Sequence, residues 1–267
     1  MKKYICQYSG GLSSFEATRR TIEKYGKENV RVWFADTMSE SPDLYRFNKD
    51  LEKIFGWNIE IICYGIDLWT LFFKQKFIAN SGKDLCSRVL KREPLRKKLE
   101  TEYMIEEAVV VLGMDWTEGD RLKRAKEHQK PYETYFPLLE KPLIDKCEII
   151  NYLKIYNIKP PELYKMGFIH NNCNGFCVKA GHTSFIHLLK KQPDVFKYHE
   201  EKEQEFRIKF NKDVTISKIM KNGKYYPYSL KEMRIDFENG KEFSKYDWGG
   251  CNCFIAENKQ FKLNLNN

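Results

Sequence analysis

A chain of 267 residues that is 42% hydrophobic and 15% aromatic can bury a substantial core, as one large domain or as one domain with an appendix. No run of 18 or more apolar residues occurs and no apolar signal segment opens the chain, so a soluble, cytoplasmic protein with no membrane partner is expected. The net charge of +9 favours polyanionic ligands, but lysines and arginines interleave with glutamates along stretches such as Lys197–Lys212, as on a solvated helix face, so a nucleotide accounts for the charge as well as a nucleic acid does.

The first predicted strand, Tyr4–Tyr8, runs into Ser9-Gly10-Gly11-Leu12-Ser13-Ser14, and a helix is predicted over Ser13–Tyr25. Such a turn offers several backbone N–H groups to one point at the positive end of a helix, where a phosphate chain can be held. Gly10 and Gly11 let an anion approach without a Cβ in the way. The bland reading of the same six residues is an ordinary strand–turn–helix corner. Further strands are predicted at Val30–Ala35, Ile59–Cys63 and Ala108–Gly113, with helices at Pro42–Phe55 and Leu85–Glu100 between them. This alternation reads as an open parallel sheet with helices on both faces. In such sheets ligands lie at the carboxyl ends of the strands, by the switch in strand order. Three strand ends carry suggestive residues: Ser9 to Gly11, Asp36-Thr37, and Gly113-Met114-Asp115.

From Pro137 the texture changes. A helix is predicted at Lys146–Tyr156, Pro160-Pro161 breaks the chain, and helices resume at Val178–Lys190 and Asp194–Phe210. A shorter polar tail ends in Trp248-Gly249-Gly250-Cys251-Asn252-Cys253, and the residues after Ile255 read as dispensable. The expected organisation is a nucleotide-binding sheet domain over residues 1–145 and a mainly helical region over 146–267 that packs onto it.

Eight cysteines in an intracellular chain point to metal or redox chemistry rather than structural disulfides. Cys6, Cys63 and Cys147 lie in strand-like or helical runs and read as small core residues. Cys86, Cys173, Cys177, Cys251 and Cys253 sit in polar or glycine-rich surroundings. Cys173 and Cys177 flank Asn174-Gly175-Phe176, a turn able to aim two thiolates at one centre, and Cys251 and Cys253 follow a Gly-Gly pair. Thiolates gathered from separated segments hold iron–sulfur clusters or tetrahedral zinc, with redox-active or merely buried thiols as the alternatives. His170 and His182 bracket the cysteine pair and read first as hydrogen-bonded structural groups, with orienting a substrate or donating to a cluster sulfur as the alternative, and Tyr225-Tyr226 read as packing residues.

The Ser9–Ser14 loop resembles the SGGxDS pyrophosphate loop of the PP-loop ATP pyrophosphatases, with Ser13 standing where that pattern has an aspartate that helps hold Mg²⁺. Val32–Phe34 with Asp36-Thr37, Glu40, Pro42 and Tyr45-Arg46-Phe47 is similar to the second strand and helix of phosphoadenylyl-sulfate (PAPS) reductases. The run Cys86–Leu95 resembles their Cys–basic–Pro-Leu segment, and Gly113-Met114-Asp115-Trp116 with Glu118 and Arg121 their Gly…Glu…Arg strand end. Gly167–Cys177 resembles the cysteine pair of iron–sulfur adenylyl-sulfate reductases and related sulfur-transfer enzymes. The string of motifs, in order over roughly residues 4 to 190, is also similar to reductase-like proteins of phages and mobile elements.

The resemblance implies a HUP-type doubly wound parallel sheet, adenine nucleotide alpha hydrolase-like. It assigns Ser9, Gly10, Gly11, Ser13 and Ser14 to the phosphates and Ala35, Asp36 and Thr37 to the adenine and ribose, with Gly113 at the neighbouring strand end. Lys91, Arg88 and Arg121 would offset phosphate charge during catalysis. Cys86, Cys173 and Cys177 with Cys251 or Cys253 would hold a [4Fe–4S] cluster, Zn²⁺ being the alternative. The implied activity uses ATP and Mg²⁺ to transfer AMP to an acceptor with release of pyrophosphate, for sulfur transfer assisted by the cluster. Reduction of adenylyl sulfate or phosphoadenylyl sulfate is a second reading, and a nucleotide-binding regulator without turnover a third, to which Ser13 lends support. The acceptor is open among tRNA, DNA and a small molecule, and a sulfur donor protein is an expected partner.

Overall fold

The computed structural model describes residues 2–80, 83 and 85–249, with Asp120 described by its backbone alone. Five strands, β1 (Lys3–Tyr8), β2 (Val30–Asp36), β3 (Ile59–Cys63), β4 (Ala108–Val111) and β5 (Glu133–Tyr135), form one sheet. They lie in the order β3-β2-β1-β4-β5 and all pair in parallel, so the strand order reverses between β1 and β4. Period-two alternation divides the strands between two faces. Cys6, Tyr8, Val32, Phe34 and Val111 pack in one cluster with α1 (Leu12–Tyr25), α2 (Pro42–Phe55) and, from later in the chain, Ile149, Ile150 and Leu153. Ile5, Trp33, Ala35 and Val110 pack on the other face with Leu95 and Leu99.

A second core lies under the C-terminal region. It joins Leu68, Trp69, Leu71 and Phe72 of α3 (Leu68–Gln75) and Val89-Leu90 to Phe176, Phe185, Phe196, Phe206 and Leu230. The sheet therefore recruits residues from beyond 145, while the C-terminal core recruits residues from 68 to 90. The division of cores does not follow the linear division at 145, because α3 and the segment around Leu90 leave the sheet to pack with the later helices.

The predicted helix over Leu85–Glu100 is interrupted. Residues Ser87–Arg92 form a π-helical turn in which the Glu93 N–H bonds to the Arg88 carbonyl, and α4 runs from Glu93 to Glu102. Pro94 has no N–H to continue an α-helical ladder, and the wider turn accommodates that loss. After α5 (Gly119–Gln129), β5, α6 (Lys146–Ile155) and the short α7 (Glu162–Lys165), the helix predicted from Val178 begins only at His182 as α8 (His182–Lys191). Val178 and Lys179 instead form a turn, closed by the Ala180 amide on the Cys177 carbonyl at 2.8 Å, and Ala180 is bridged to Gly249. Next comes α9 (Pro193–Phe210), then an antiparallel hairpin, β6 (Ser217–Lys221) and β7 (Lys224–Tyr228), and α10 (Leu230–Glu238).

Three side-chain expectations change. Cys6 is buried, but Cys63 is exposed at the end of an edge strand and Cys147 is only partly covered. Tyr225 and Tyr226 are 67% and 46% exposed, so they are surface residues, not packing residues. No helix among the described residues is long and apolar enough to cross a membrane.

Candidate functional site at the switch point

The loop after β1 meets the N-terminus of α1 beside the end of β4, where the strand order reverses. Gly10 adopts φ +77°, and Gly113, just past β4, lies against the loop so closely that a Cβ there would be 2.6 Å from Ser14 Cα and 2.9 Å from Ser14 N. Both atoms are backbone, so only glycine permits this approach. Inside the loop, Ser9 N–H and Ser9 Oγ reach Ser14 Oγ at 3.2 and 3.1 Å, and Ser14 Oγ donates to the Gly11 carbonyl at 2.9 Å. The first amides of a helix have no intrahelical acceptor. Here the Leu12 amide donates to the Tyr164 hydroxyl at 3.2 Å, and Asn171 Nδ2 donates to the Gly10 carbonyl at 3.0 Å. Asn171 is 2% exposed, and its Oδ1 has no partner among the described residues. The loop is thus braced by its own hydroxyls, by β4 and by the segment leading to Cys173.

Two charged groups flank the loop. On the β4 side, Asp115 accepts from the Thr117 amide and hydroxyl, and Glu118 pairs with Arg121. Lys146, at the start of α6, lies 5.6 Å from the Tyr164 ring centroid and donates to the Ile169 carbonyl. Burial holds its ammonium below the ordinary lysine value against the opposing pull of Asp115 and Glu118. Sequence reasoning missed Lys146 and Tyr164. Each stands alone in a helical stretch far from the loop, and no local signal marks it.

On the β2 side, Asp36 accepts from the Met38 amide at 2.8 Å and from the Tyr45 hydroxyl at 2.8 and 2.9 Å. Ala35 is buried in the sheet. The Glu40 carboxylate, with a fully buried side chain, gathers three donors: Thr37 Oγ1 at 3.0 Å, Lys91 Nζ at 3.0 Å and the Cys173 N–H at 2.6 Å. Burial works against the charge of Lys91. Glu40 and the thiols of Cys173 and Cys177 outweigh it and raise the lysine above its ordinary value. Glu40 therefore ties the end of β2 to the cysteine turn. Its sequence signal was a motif position with no role attached.

The cysteine turn places Cys173 and Asn174 at positive φ, 48° and 51°. Phe176 within it stacks on His199 at 3.5 Å with 5° between the planes, and His199 Nδ1 accepts from Trp69 Nε1 at 2.9 Å. Burial pushes His199 down to about 3, so it stays neutral, as an acceptor must. Beyond the turn, the Gly181 amide donates to the Trp248 carbonyl at 3.0 Å and the Thr183 amide to the Asp247 carbonyl at 2.9 Å. His182 contacts Ser217 Oγ and the Lys218 carbonyl, a structural partnership.

Of the residues singled out by sequence, the fold brings Ser9, Gly10, Gly11, Ser13, Ser14 and Gly113 to one point, and Thr37, Lys91, Cys173 and Cys177 to another nearby. Cys86 opens the π-helical turn that carries Lys91 and packs against the C-terminal core. Arg88 is 56% exposed and pairs with Glu93 at 2.7 Å. Arg121 is 41% exposed. Cys251 and Cys253 lie outside the described residues, and no group of three or more metal-ligating side chains forms among the described ones.

Residues 3–174 match the family described as phosphoadenosine phosphosulfate reductase domain. Among solved structures, the chain is similar to phosphoadenylyl-sulfate (PAPS) reductase from Candida auris in a phosphate complex, with 17% identity, 61% of this chain and 78% of that chain covered, and a TM-score of 0.43. No curated protein matches the chain.

Proposed function

The chain belongs to the phosphoadenosine phosphosulfate reductase domain family, nucleotide-binding enzymes of sulfur chemistry, and from that premise we propose that it binds ATP at the switch point and adenylates an acceptor. The observation that carries this reading is the seat of the Ser9–Ser14 loop on Gly113, which sets the loop at the positive end of α1, where an anion is favoured. The β- and γ-phosphates would lie on the loop amides, with the α-phosphorus toward the cleft. An acceptor oxygen would attack that phosphorus, the bond to the β-phosphate oxygen would break, and pyrophosphate would leave. Lys146, partly buried beside Tyr164, would offset charge there, together with Arg121. Mg²⁺ would be held by Asp36 or Asp115 in place of the aspartate replaced by Ser13, or mainly by the nucleotide and water.

For a metal centre, the donor chemistry fits. Cys173 and Cys177 share one turn, and the partly buried Lys91 beside them favours thiolates. Cys86, Cys173 and Cys177 with Cys251 or Cys253 are the residues that would hold a [4Fe–4S] cluster or Zn²⁺. Such a centre would supply the sulfur nucleophile that displaces AMP from the adenylated acceptor, with a donor protein renewing the sulfur. Lys91 and Glu40 would set the orientation of the turn toward the nucleotide.

The second reading, reduction of a sulfonucleotide, draws on the short path from Thr37 through Glu40 to the Cys173 amide, which would set a thiol near the nucleotide. Anaerobically purified protein should contain stoichiometric iron and sulfide, or zinc, and should form AMP and pyrophosphate when given ATP with RNA, DNA or metabolite fractions. Steady formation of ADP would reject adenylation. Sulfite from adenylyl sulfate and a thiol reductant would establish the reductase reading instead.

A further inference from the structure

The β6–β7 hairpin has no part in the nucleotide site, yet it carries an exposed surface rich in lysine and tyrosine. Between Asp213 and Glu232 the chain holds Lys218, Lys221, Lys224 and Lys231, three tyrosines and no acidic residue. The turn at its tip is Asn222-Gly223, with both residues at positive φ, 49° and 73°, which fixes a two-residue hairpin and hence the register. That register pairs Met220 with Tyr225, Lys218 with Pro227 and Lys221 with Lys224. Cross-strand partners share a face. Met220, Tyr225, Lys218 and Pro227 therefore stand together on one side, all exposed, while Lys221 and Lys224 pair at the tip on the other side. The opposite side is anchored, because Tyr228 and Ser217 at its base are buried.

We propose that this ribbon face is a docking surface for a single-stranded stretch of RNA. Tyr225, 67% exposed, and Met220, 59% exposed, form a flat apolar platform of a kind on which a base stacks. Lys218 beside it and Lys221 and Lys224 at the tip supply cations, with Asp236 from α10 acting on Lys221, and the hairpin itself carries no carboxylate, so the field along it suits a phosphate backbone. Stacking on a side chain needs a base already free of its own stack. The loops of folded RNAs present such bases, whereas duplex DNA does not. The ribbon also stands beside the cysteine turn. His182, which opens the helix following that turn, contacts Ser217 Oγ at 3.0 Å and the Lys218 carbonyl at 3.1 Å. A polynucleotide held on the ribbon would thus lie next to the proposed sulfur chemistry. The surface itself does not depend on the adenylation reading, since binding is measured without turnover.

The test uses the full chain and a labelled mixed-sequence RNA 20-mer without secondary structure, followed by fluorescence anisotropy over a range of salt. Wild-type protein should bind, with log K falling linearly in log salt. Replacing Lys218, Lys221 and Lys224 together by glutamine should reduce the magnitude of that slope by about 2, at roughly 0.7 for each phosphate no longer neutralised. Tyr225→Ala should weaken binding about tenfold with the slope unchanged, the loss of a stacking partner. Every substituted side chain is exposed, and circular dichroism checks that the variants are folded. No binding by wild-type, or wild-type affinity and slope in both variants, would overturn the proposal. Equal affinity for duplex DNA would overturn it in favour of phosphate-only attraction, and equal affinity for the single-stranded DNA of the same sequence would remove the RNA assignment. A concentration-dependent dimer abolished by Tyr225→Ala would hand the face to a second copy of the chain.

Discussion

The nucleotide loop after β1 and the cysteine turn tied to the end of β2 are joined through Asn171 but are held by different means. Backbone pressed against backbone fixes much of the loop, Gly113 on Ser13 and Ser14, with the loop's own hydroxyls and the Asn171 side chain adding to it. Side chains brought from far apart fix the turn: Glu40 and Lys91 from the sheet domain, Trp69 from α3, His199 from α9. A backbone-set geometry demands particular residue types at adjacent positions. A side-chain network demands only that its members meet in space. The first kind writes a motif and the second does not.

The sharpest way to break this contrast is at the joint between the two regions. Lys91→Met leaves the Glu40 carboxylate buried with one donor fewer and its charge uncompensated. Losing one partner of a well-buried pair costs about 3–5 kcal/mol, and with Lys91 a quarter exposed the expected loss is about 3 kcal/mol. Urea unfolding should show it, and the Glu40→Gln/Lys91→Met double variant should recover at least half. A double variant no more stable than Lys91→Met would show that the pair is not the tie between the regions.

Gly113→Ala should come next. Its Cβ would sit 2.6 Å from Ser14 Cα, with no flexible side chain to yield. Overpacking of this kind costs about 2 kcal/mol, and because the strain falls on the loop itself, ATP affinity measured by calorimetry should drop at least tenfold. Gly10→Asp is a poorer probe, since its Cβ would strike the Leu44 side chain at 2.6 Å and disturb the sheet's core. Unchanged ATP affinity in a folded Gly113→Ala protein would separate the loop from nucleotide binding.

The same contrast explains what the sequence reveals. The order of β1 to β4, α1 and α2 is legible because apolar runs alternate with amphipathic ones between clear breakers. α3 is not, because Leu68-Trp69-Thr70-Leu71-Phe72-Phe73 is apolar nearly all round and has no helical period. β5 is a three-residue edge strand, too short to carry a pattern. The hairpin has a real signal in Asn222-Gly223, but its exposed Lys and Tyr residues conceal a strand alternation that only its base obeys. In the site, the loop and Gly113 are legible as motif, while Tyr164, Lys146 and the role of Glu40 emerge only from tertiary contact.

Glu203 tests the side-chain region away from the site. Its carboxylate accepts the Ile216 amide at 2.8 Å and the Leu230 amide at 2.7 Å, pinning the approach to β6 and the start of α10. Burial, opposed by those amides and Arg207, pushes it up to about 7. A carboxyl raised in the folded state contributes stability that is complete below its unfolded value, near 4.5, and is lost as pH rises through about 7. Glu203→Gln forfeits one amide bond, about 1–2 kcal/mol at pH 5. The gap between wild-type and variant melting temperatures should narrow steadily from pH 5 to pH 8. A gap that widens with pH would mean that the charged form is the one the amides stabilise.

The smallest effect is expected at Arg88, three positions from Lys91 on the same π-helical turn. The sequence groups the two as phosphate ligands, but the wider turn carries them to different surroundings. Lys91 reaches the fully buried Glu40, whereas Arg88 is 56% exposed and pairs with Glu93, itself 50% exposed. An exposed ion pair contributes between 0 and about 1 kcal/mol, and salt weakens it further. A guanidinium that bonds a nucleotide phosphate would contribute roughly 1.5–3 kcal/mol, a ten- to hundredfold change in affinity. Arg88→Ala should therefore change ATP affinity by less than twofold and stability by about 0.5 kcal/mol or less. The two expectations are far enough apart for one calorimetric titration to separate them. A tenfold loss of affinity in a variant of unchanged stability would mean that Arg88 leaves Glu93 when nucleotide binds, and the nucleotide region would then extend onto the π-helical turn.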